Sequence, residues 1–323
     1  MRSQITRWLL RIIGPLLFIV FLWRTDLSLW WKALANVDWW PVALSLALMP
    51  FFIIVKAWRW QVIMRELGLT PPDVWQLSRI YTIGLFLGGT TPGQSGDFAK
   101  ALYLRAPHRP MPSLLFSIFV ERLCDVAAMA VLAFIGLAAL ADTLDAASKA
   151  TIQQTTITVA VIIFAMLPVL LIRRSRNILF GVLRMAVPRR WHTRYDGITQ
   201  QFDALNISAT SAAVLVLSTS LSGLSTAIRI ALLFTAMALT AIPLAAVLGS
   251  TGQIALLQAL PISVSGIGIR EAVLIGLLQA HGYASAYAIA LSGLFLIINV
   301  EHIIVGFLVS LRHPIPTGTD DHA

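Results

Sequence analysis

Eight ionisable residues stand inside or beside apolar runs of this chain: Glu121, Arg122, Asp125, Arg229, Arg270, Glu271, Glu301 and His302. Each costs at least about 2.5 kcal/mol at the centre of a spanning helix, so residues of this kind mark pathways, sites or buried pairs. Leaving His302 aside, three arginines face four acids, and the set is expected to neutralise itself if gathered in the interior. Glu121 and Asp125 are four apart and share a helix face, with Arg122 three before Asp125. One helix would then supply a carboxylate pair and its own counter-ion. Arg229 would instead snorkel if its helix broke near Gly223. The plainer reading of all these charges is interhelical pairing that only fixes a bundle.

Two glycine-rich segments add a second kind of chemistry. An interrupted helix at membrane depth exposes unpaired N–H groups and a positive dipole end, which together favour an anion. Pro261 to Gly268, with Ser265, Gly266 and Gly268, opens such a half-helix, and Arg270 falls in its first turn. A phosphate or carboxylate suits that combination of donors. Glu271 would hold Arg270 or take a cation. Gly88 to Lys100 repeats the arrangement through Gly93, Gly96, Asp97 and Lys100, and in both segments a base follows Ser-Gly by four residues. Asp97 has the alternative role of a helix N-cap.

The elements that must position these residues are membrane helices. Of 323 residues 58% are hydrophobic and 12% charged, against about 25% charged in soluble domains. The mean hydropathy is +0.80. The expected fold is an all-α integral membrane protein of about six to eight helices, with two opposed re-entrant or broken helices and the pattern of an inverted repeat. Full spans are expected at about 7–24, 40–63, 112–140, 151–172, 207–238 and 285–311, the fifth being one helix or two. Broken stretches run from Arg79 to Gly96 and from Pro243 to Ala280. Residues 1–311 form one domain and 312–323 a short cytoplasmic tail.

Seven arginines and no acid lie between Arg173 and Arg194, which puts that loop in the cytoplasm and, by alternation, both termini as well. A multi-pass cell (inner) membrane protein is expected. The net charge of +9 is then matched to anionic inner-leaflet lipid, with no nucleic-acid partner. Trp30, Trp31, Trp39 and Trp40 read as interfacial residues. The single Cys124 excludes a disulfide framework, and no metal-ligand spacing or cofactor motif occurs.

Four signatures resemble the transmembrane, flippase-like domain of the lysylphosphatidylglycerol synthase family: Trp58-Arg59-Trp60; Pro92 to Lys100, ending in Gly-Asp-x-x-Lys; Glu121-Arg122-x-x-Asp125; and Pro261 to Glu271. The resemblance covers nearly the whole chain. Ser95 and Lys100 stand where the family more often has glycine and arginine, which removes a guanidinium fork. The resemblance implies movement of a phospholipid, glycolipid or polyprenyl-phosphate-type lipid between leaflets, by a stand-alone member without the aminoacyl-transferase domain. No catalytic residue and no cofactor are expected.

On that reading Lys100, Arg122 and Arg270, with Gly93, Gly96, Ser265, Gly266 and Gly268, bind an anionic headgroup. Asp97, Glu121, Asp125, Glu271 and Glu301 balance charge, and His302 with Glu301 is the candidate for ion coupling. Two other classes stay open: an ion-coupled carrier of a small anion using Glu301 and His302, and an intramembrane lipid-modifying enzyme. A homo-oligomer is compatible with all three.

Overall fold

A computed structural model describes residues 35–141, 173–186, 207–258 and 269–313, with isolated positions between 154 and 199. The expected spans 7–24 and 151–172, the Pro261 to Gly268 segment and the tail beyond His313 lie outside the described residues. Within them the chain is helical, with no strand beyond one isolated bridge between Ala106 and Arg109.

Asp38 starts the first helix by accepting the Trp40 N–H at 3.0 Å, an N-cap that satisfies an orphan donor. The expected span 40–63 is two helices, α1 (Trp39–Ala47) and α2 (Met49–Glu66). Pro50 is the cause, because it brings no N–H to the ladder and sits where a new helix can begin. The two still run on as one 28-residue apolar unit. Its far end is closed by Gly68 at φ +71, the left-handed backbone that glycine adopts without steric cost.

After α3 (Val74–Gly89) comes a nine-residue 3-10 segment, Pro92–Lys100, continued by the short α4 (Ala101–Leu104). Runs of 3-10 helix longer than three or four residues are uncommon. Here the segment folds back along α3, and Gln94 adopts φ +56. α3 is about 24 Å long at 1.5 Å per residue, and the return covers a similar distance at about 2 Å per residue. The two ends therefore meet: Arg109 Nε donates to the Thr70 carbonyl at 2.8 Å.

The remaining helices are α5 (Met111–Ala141), α6 (Arg173–Ala186), α7 (Ala209–Ala236), α8 (Leu244–Gln258), α9 (Ile269–Ala280) and α10 (Ser285–Arg312). Residues 207–238 thus hold one helix, uninterrupted at Gly223. Three units, Trp39–Glu66, α7 and α10, each have 28 residues and contain an 18-residue stretch with a mean hydropathy of 1.8, 1.5 and 2.2 respectively. At about 1.5 Å per residue each exceeds a hydrocarbon core of about 30 Å. α5, at 31 residues, is long enough too, but carries three charges at its middle.

α7 runs antiparallel to the α1–α2 unit. Its start is tied to the end of α2, where Glu66 accepts from the Ser211 hydroxyl at 2.6 Å. Its end lies at the start of α1, where the Asp38 N–H donates to the Ala236 carbonyl at 2.9 Å. That fixes two ends of the bundle. Thr70 and Arg109 lie at one. At the other, the Ala241 N–H donates to the Tyr283 hydroxyl at 3.3 Å, closing the segment that holds α8 and α9. The two hairpins are based at opposite ends.

Glycines let the hairpin helices approach the long ones. A Cβ on Gly249 or Gly252 would fall 2.4 or 2.3 Å from α5 backbone, and one on Gly306 of α10 would fall 2.4 Å from the Thr82 carbonyl of α3. Small residues at such crossings are how membrane helices gain van der Waals contact.

Candidate functional site

The charged residues of α2, the 3-10 segment and α5 meet in one network. On α2 Phe52, Lys56 and Arg59 follow helical spacing and form one stripe, of which Lys56 and Arg59 reach α5. Arg59 Nη2 lies 2.5 Å from both Glu121 Oε1 and Asp125 Oδ1, and Lys56 Nζ lies 2.6 Å from Asp125 Oδ2. The Tyr81 hydroxyl donates to the same Glu121 oxygen at 2.8 Å. Arg59 and Glu121 are wholly buried.

Asp97 is the second centre. Its Oδ2 takes Lys100 Nζ at 2.9 Å, Arg122 Nε at 2.9 Å and Arg122 Nη2 at 2.8 Å. The other oxygen lies against α3, where a Cβ on Gly84 would stand 2.4 Å away. Asp97 is therefore an ion-pair centre inside the 3-10 segment, with no capping role. Gly96 is half-buried, its N–H bound by Thr91 Oγ1 at 2.7 Å. Lys100 is fully buried, with Nζ 4.8 Å from the Trp60 ring centroid and 4.2 Å from that of Tyr81.

The counter-ion expected within α5 is thus found elsewhere. Arg122 turns to Asp97, and the Glu121–Asp125 pair is compensated from α2. Residues at 121 and 122 diverge by about 100° around a helix of 3.6 residues per turn, so Arg122 leaves the face its carboxylate neighbours share.

A third group joins α7 to α10. Arg229 Nη2 pairs with Glu301 Oε2 at 2.5 Å, Nη1 meets His302 Nε2 at 3.0 Å, and Nε donates to the Ser45 carbonyl at 2.9 Å. Arg229 is buried on an unbroken helix and does not snorkel. The His302 ring stacks on Phe52, centroids 5.9 Å apart.

These groups share a cavity of about 430 Å³, within the range of small-molecule sites. Lys56, Arg122, Asp125, Arg229 and His302 line it, with Gln94 at its edge and apolar wall from residues such as Phe119 and Ile298. Arg122 Nη1 donates to Gln94 Oε1 at 2.6 Å. Lys100, Asp97 and Glu121 stand behind this wall.

Arg270 belongs to a separate cluster with Glu271, 3.0 Å away, and Ser292, which accepts Arg270 Nε at 2.8 Å and donates to Glu271. Its guanidinium lies 6.0 Å from the ring centroid of Phe295, itself on the cavity wall. Ser265, Gly266 and Gly268 lie outside the described residues. Among the described residues no group of three or more metal-ligating side chains occurs.

Lys56 and Tyr81 have no role among the sequence-based expectations, and Arg59 and Gln94 enter only inside signatures. Lys56 and Arg59 had a signal: a base pair three apart inside the expected span 40–63. Tyr81 and Gln94 had none beyond their neighbourhood. Including Lys56, Arg59, Asp97 and Lys100 changes the balance, because the described interior then holds six cations against five carboxylates.

An all-helical membrane protein with a charged cavity among its helices is the class these features define. The family model of the lysylphosphatidylglycerol synthase TM region matches residues 9–306, and the chain belongs to that family. No curated protein and no solved structure matches it.

Proposed function

We propose that this protein carries the polar headgroup of a lipid between the leaflets of a membrane, using the cavity shared by α2, α5, α7 and α10. Membership of the family supports a lipid-related role in the membrane. The observation that carries the finer reading is the cavity itself, with Lys56, Arg122 and Arg229 at its surface and their carboxylates mostly behind them. A headgroup crossing hydrocarbon needs a compensated, charged path, while its acyl chains remain in lipid.

In this reading Lys56, Arg122 and Arg229 meet the headgroup. Asp97, Glu121, Asp125 and Glu301 compensate them, and Lys100 anchors Asp97. Arg270 and Glu271 form the neighbouring part of the path. Arg65, Arg105, Arg109 and Arg312 gather at the bundle end that carries Thr70, which argues for that end in the cytoplasm. The hairpins 70–109 and 241–283 then re-enter from opposite faces, as in transporters built from inverted halves. The protein makes and breaks no covalent bonds.

The test is reconstitution in vesicles holding a fluorescent lipid whose outer-leaflet copies are bleached from outside. Protein should render the inner-leaflet copies bleachable, and Arg122→Ala should slow this. Bleaching that stays at the level of protein-free vesicles would reject the reading.

A further inference from the structure

We propose that the cavity selects a headgroup bearing one net negative charge on a phosphodiester, and disfavours lipids that are net neutral or positive. This rests on the lipid reading above and adds the sign and number of the charge.

Lys56, Arg59, Lys100, Arg122, Arg229 and Arg270 are matched by Asp97, Glu121, Asp125, Glu271 and Glu301, which leaves one positive charge among the described interior groups. His302 does not change the sum. An arginine only donates, so His302 Nε2 must accept from Arg229 Nη1, and the ring is neutral. An uncompensated charge in a low-dielectric interior is unfavourable, and one anion removes it. A dianion would overshoot; a zwitterion would leave the surplus and a cationic headgroup would add to it.

The cavity surface is cationic too, although the cation left without an acid of its own is Lys100, which shares Asp97 with Arg122 behind the wall. Three cations line it against Asp125 alone, since Asp97 and Glu121 are fully buried behind. Arg122 also shows where an anionic oxygen would sit. Its Nε and Nη2 are committed to Asp97, while Nη1 is held only by the neutral amide oxygen of Gln94. Gln94 is exposed and holds a left-handed backbone, φ +56, that disfavours a side chain. It occupies a position that a phosphodiester oxygen could take with a stronger, charge-assisted bond.

Native mass spectrometry of the full-length protein would measure binding of short-chain phosphatidylglycerol, phosphatidylcholine, lysylphosphatidylglycerol and the soluble diester glycerophosphoglycerol. Phosphatidylglycerol should lead phosphatidylcholine by about tenfold or more, the scale of one unit charge roughly 10 Å away at an effective dielectric constant of about 20. Lysylphosphatidylglycerol should bind more weakly still. Asn299→Asp, which adds a carboxylate to the cavity wall at constant volume, should erase the preference, and Arg122→Gln should do the same. Equal binding of the three lipids, or a preference that survives Asn299→Asp, would overturn the proposal. Binding of the soluble diester as tight as that of phosphatidylglycerol would overturn its lipid part. The two readings fail separately: selective binding without lipid movement rejects transport alone, and movement of all three lipids without selective binding rejects the charge rule alone.

Discussion

Arg122 of α5 grips Asp97 of the 3-10 segment through Nε and Nη2, at 2.9 and 2.8 Å, across 25 residues of chain. This contact locks the first hairpin against the helix that carries the Glu121–Asp125 pair. It also divides the charges into those fixed behind the cavity wall and those that reach it.

Arg59 is the hub of the buried part. Arg59→Leu leaves Glu121 and Asp125 short of a counter-ion, and breaking one side of a buried pair costs about 3–5 kcal/mol. A large fall in the thermal midpoint of the detergent-solubilised protein is expected. A midpoint within a degree or two of the parent would show that Lys56 and Lys100 carry the compensation unaided.

Gly84 has no room for a side chain, because its Cβ would press on Asp97 Oδ1 at 2.4 Å and on Lys100 at 3.1 Å. Gly84→Val should displace Asp97, loosen its grip on Arg122 and lower both stability and lipid movement. Gly181→Ala, with nothing within 4 Å of the added carbon, is the control; removing a helical glycine should stabilise by about 0.5–1 kcal/mol. Equal unfolding midpoints for the two variants would contradict the packing described at Gly84.

The tight crossing of α5 and α8 predicts a second steric effect. Gly249→Val puts a branched side chain where even a Cβ would stand 2.4 Å from the Gly136 backbone. The expected result is loss of folded protein on size-exclusion chromatography, whereas Gly249→Ala should retain part of it.

The opposed hairpins make a topological prediction. With Cys124 replaced by serine, a cysteine at Thr70 should react with a membrane-impermeant maleimide only after the cells are opened. One at Ala241 should react in intact cells. Labelling of both positions from the same side would end the inverted arrangement and the re-entry assigned to it.

The ion-coupled alternative can be separated by its energy source. Glu301 is paired with Arg229 at 2.5 Å, and His302 accepts from the same guanidinium. Both are therefore engaged in holding a cation in the wall. Lipid movement should proceed without a pH gradient and fall in Glu301→Gln, which frees Arg229. A gradient-dependent rate abolished by His302→Phe would favour the coupled carrier.

Much of the frame was legible. Expected spans 112–140, 207–238 and 285–311 correspond to α5, α7 and α10, because runs of apolar residues fix helix length once the solvent is hydrocarbon. The break at Pro50 was missed, since hydropathy is blind to a single absent N–H. The four signatures led to the family, which the family model independently matches over residues 9–306. Among the described interior groups the charge balance is positive where the expected set was negative, because Lys56 and Arg59, three apart inside the span 40–63, add two cations.

What the chain's sequence determined alone is its solvent and its secondary structure: composition requires a membrane, and a membrane requires backbone groups satisfied within helices. Which charges meet was decided only by the tertiary structure. Arg122 pairs with Asp97, 25 residues away, while Glu121 and Asp125 take partners from α2 more than 60 residues earlier. Helical spacing fixes only which residues share a face; partners come from whichever helix the fold brings against it.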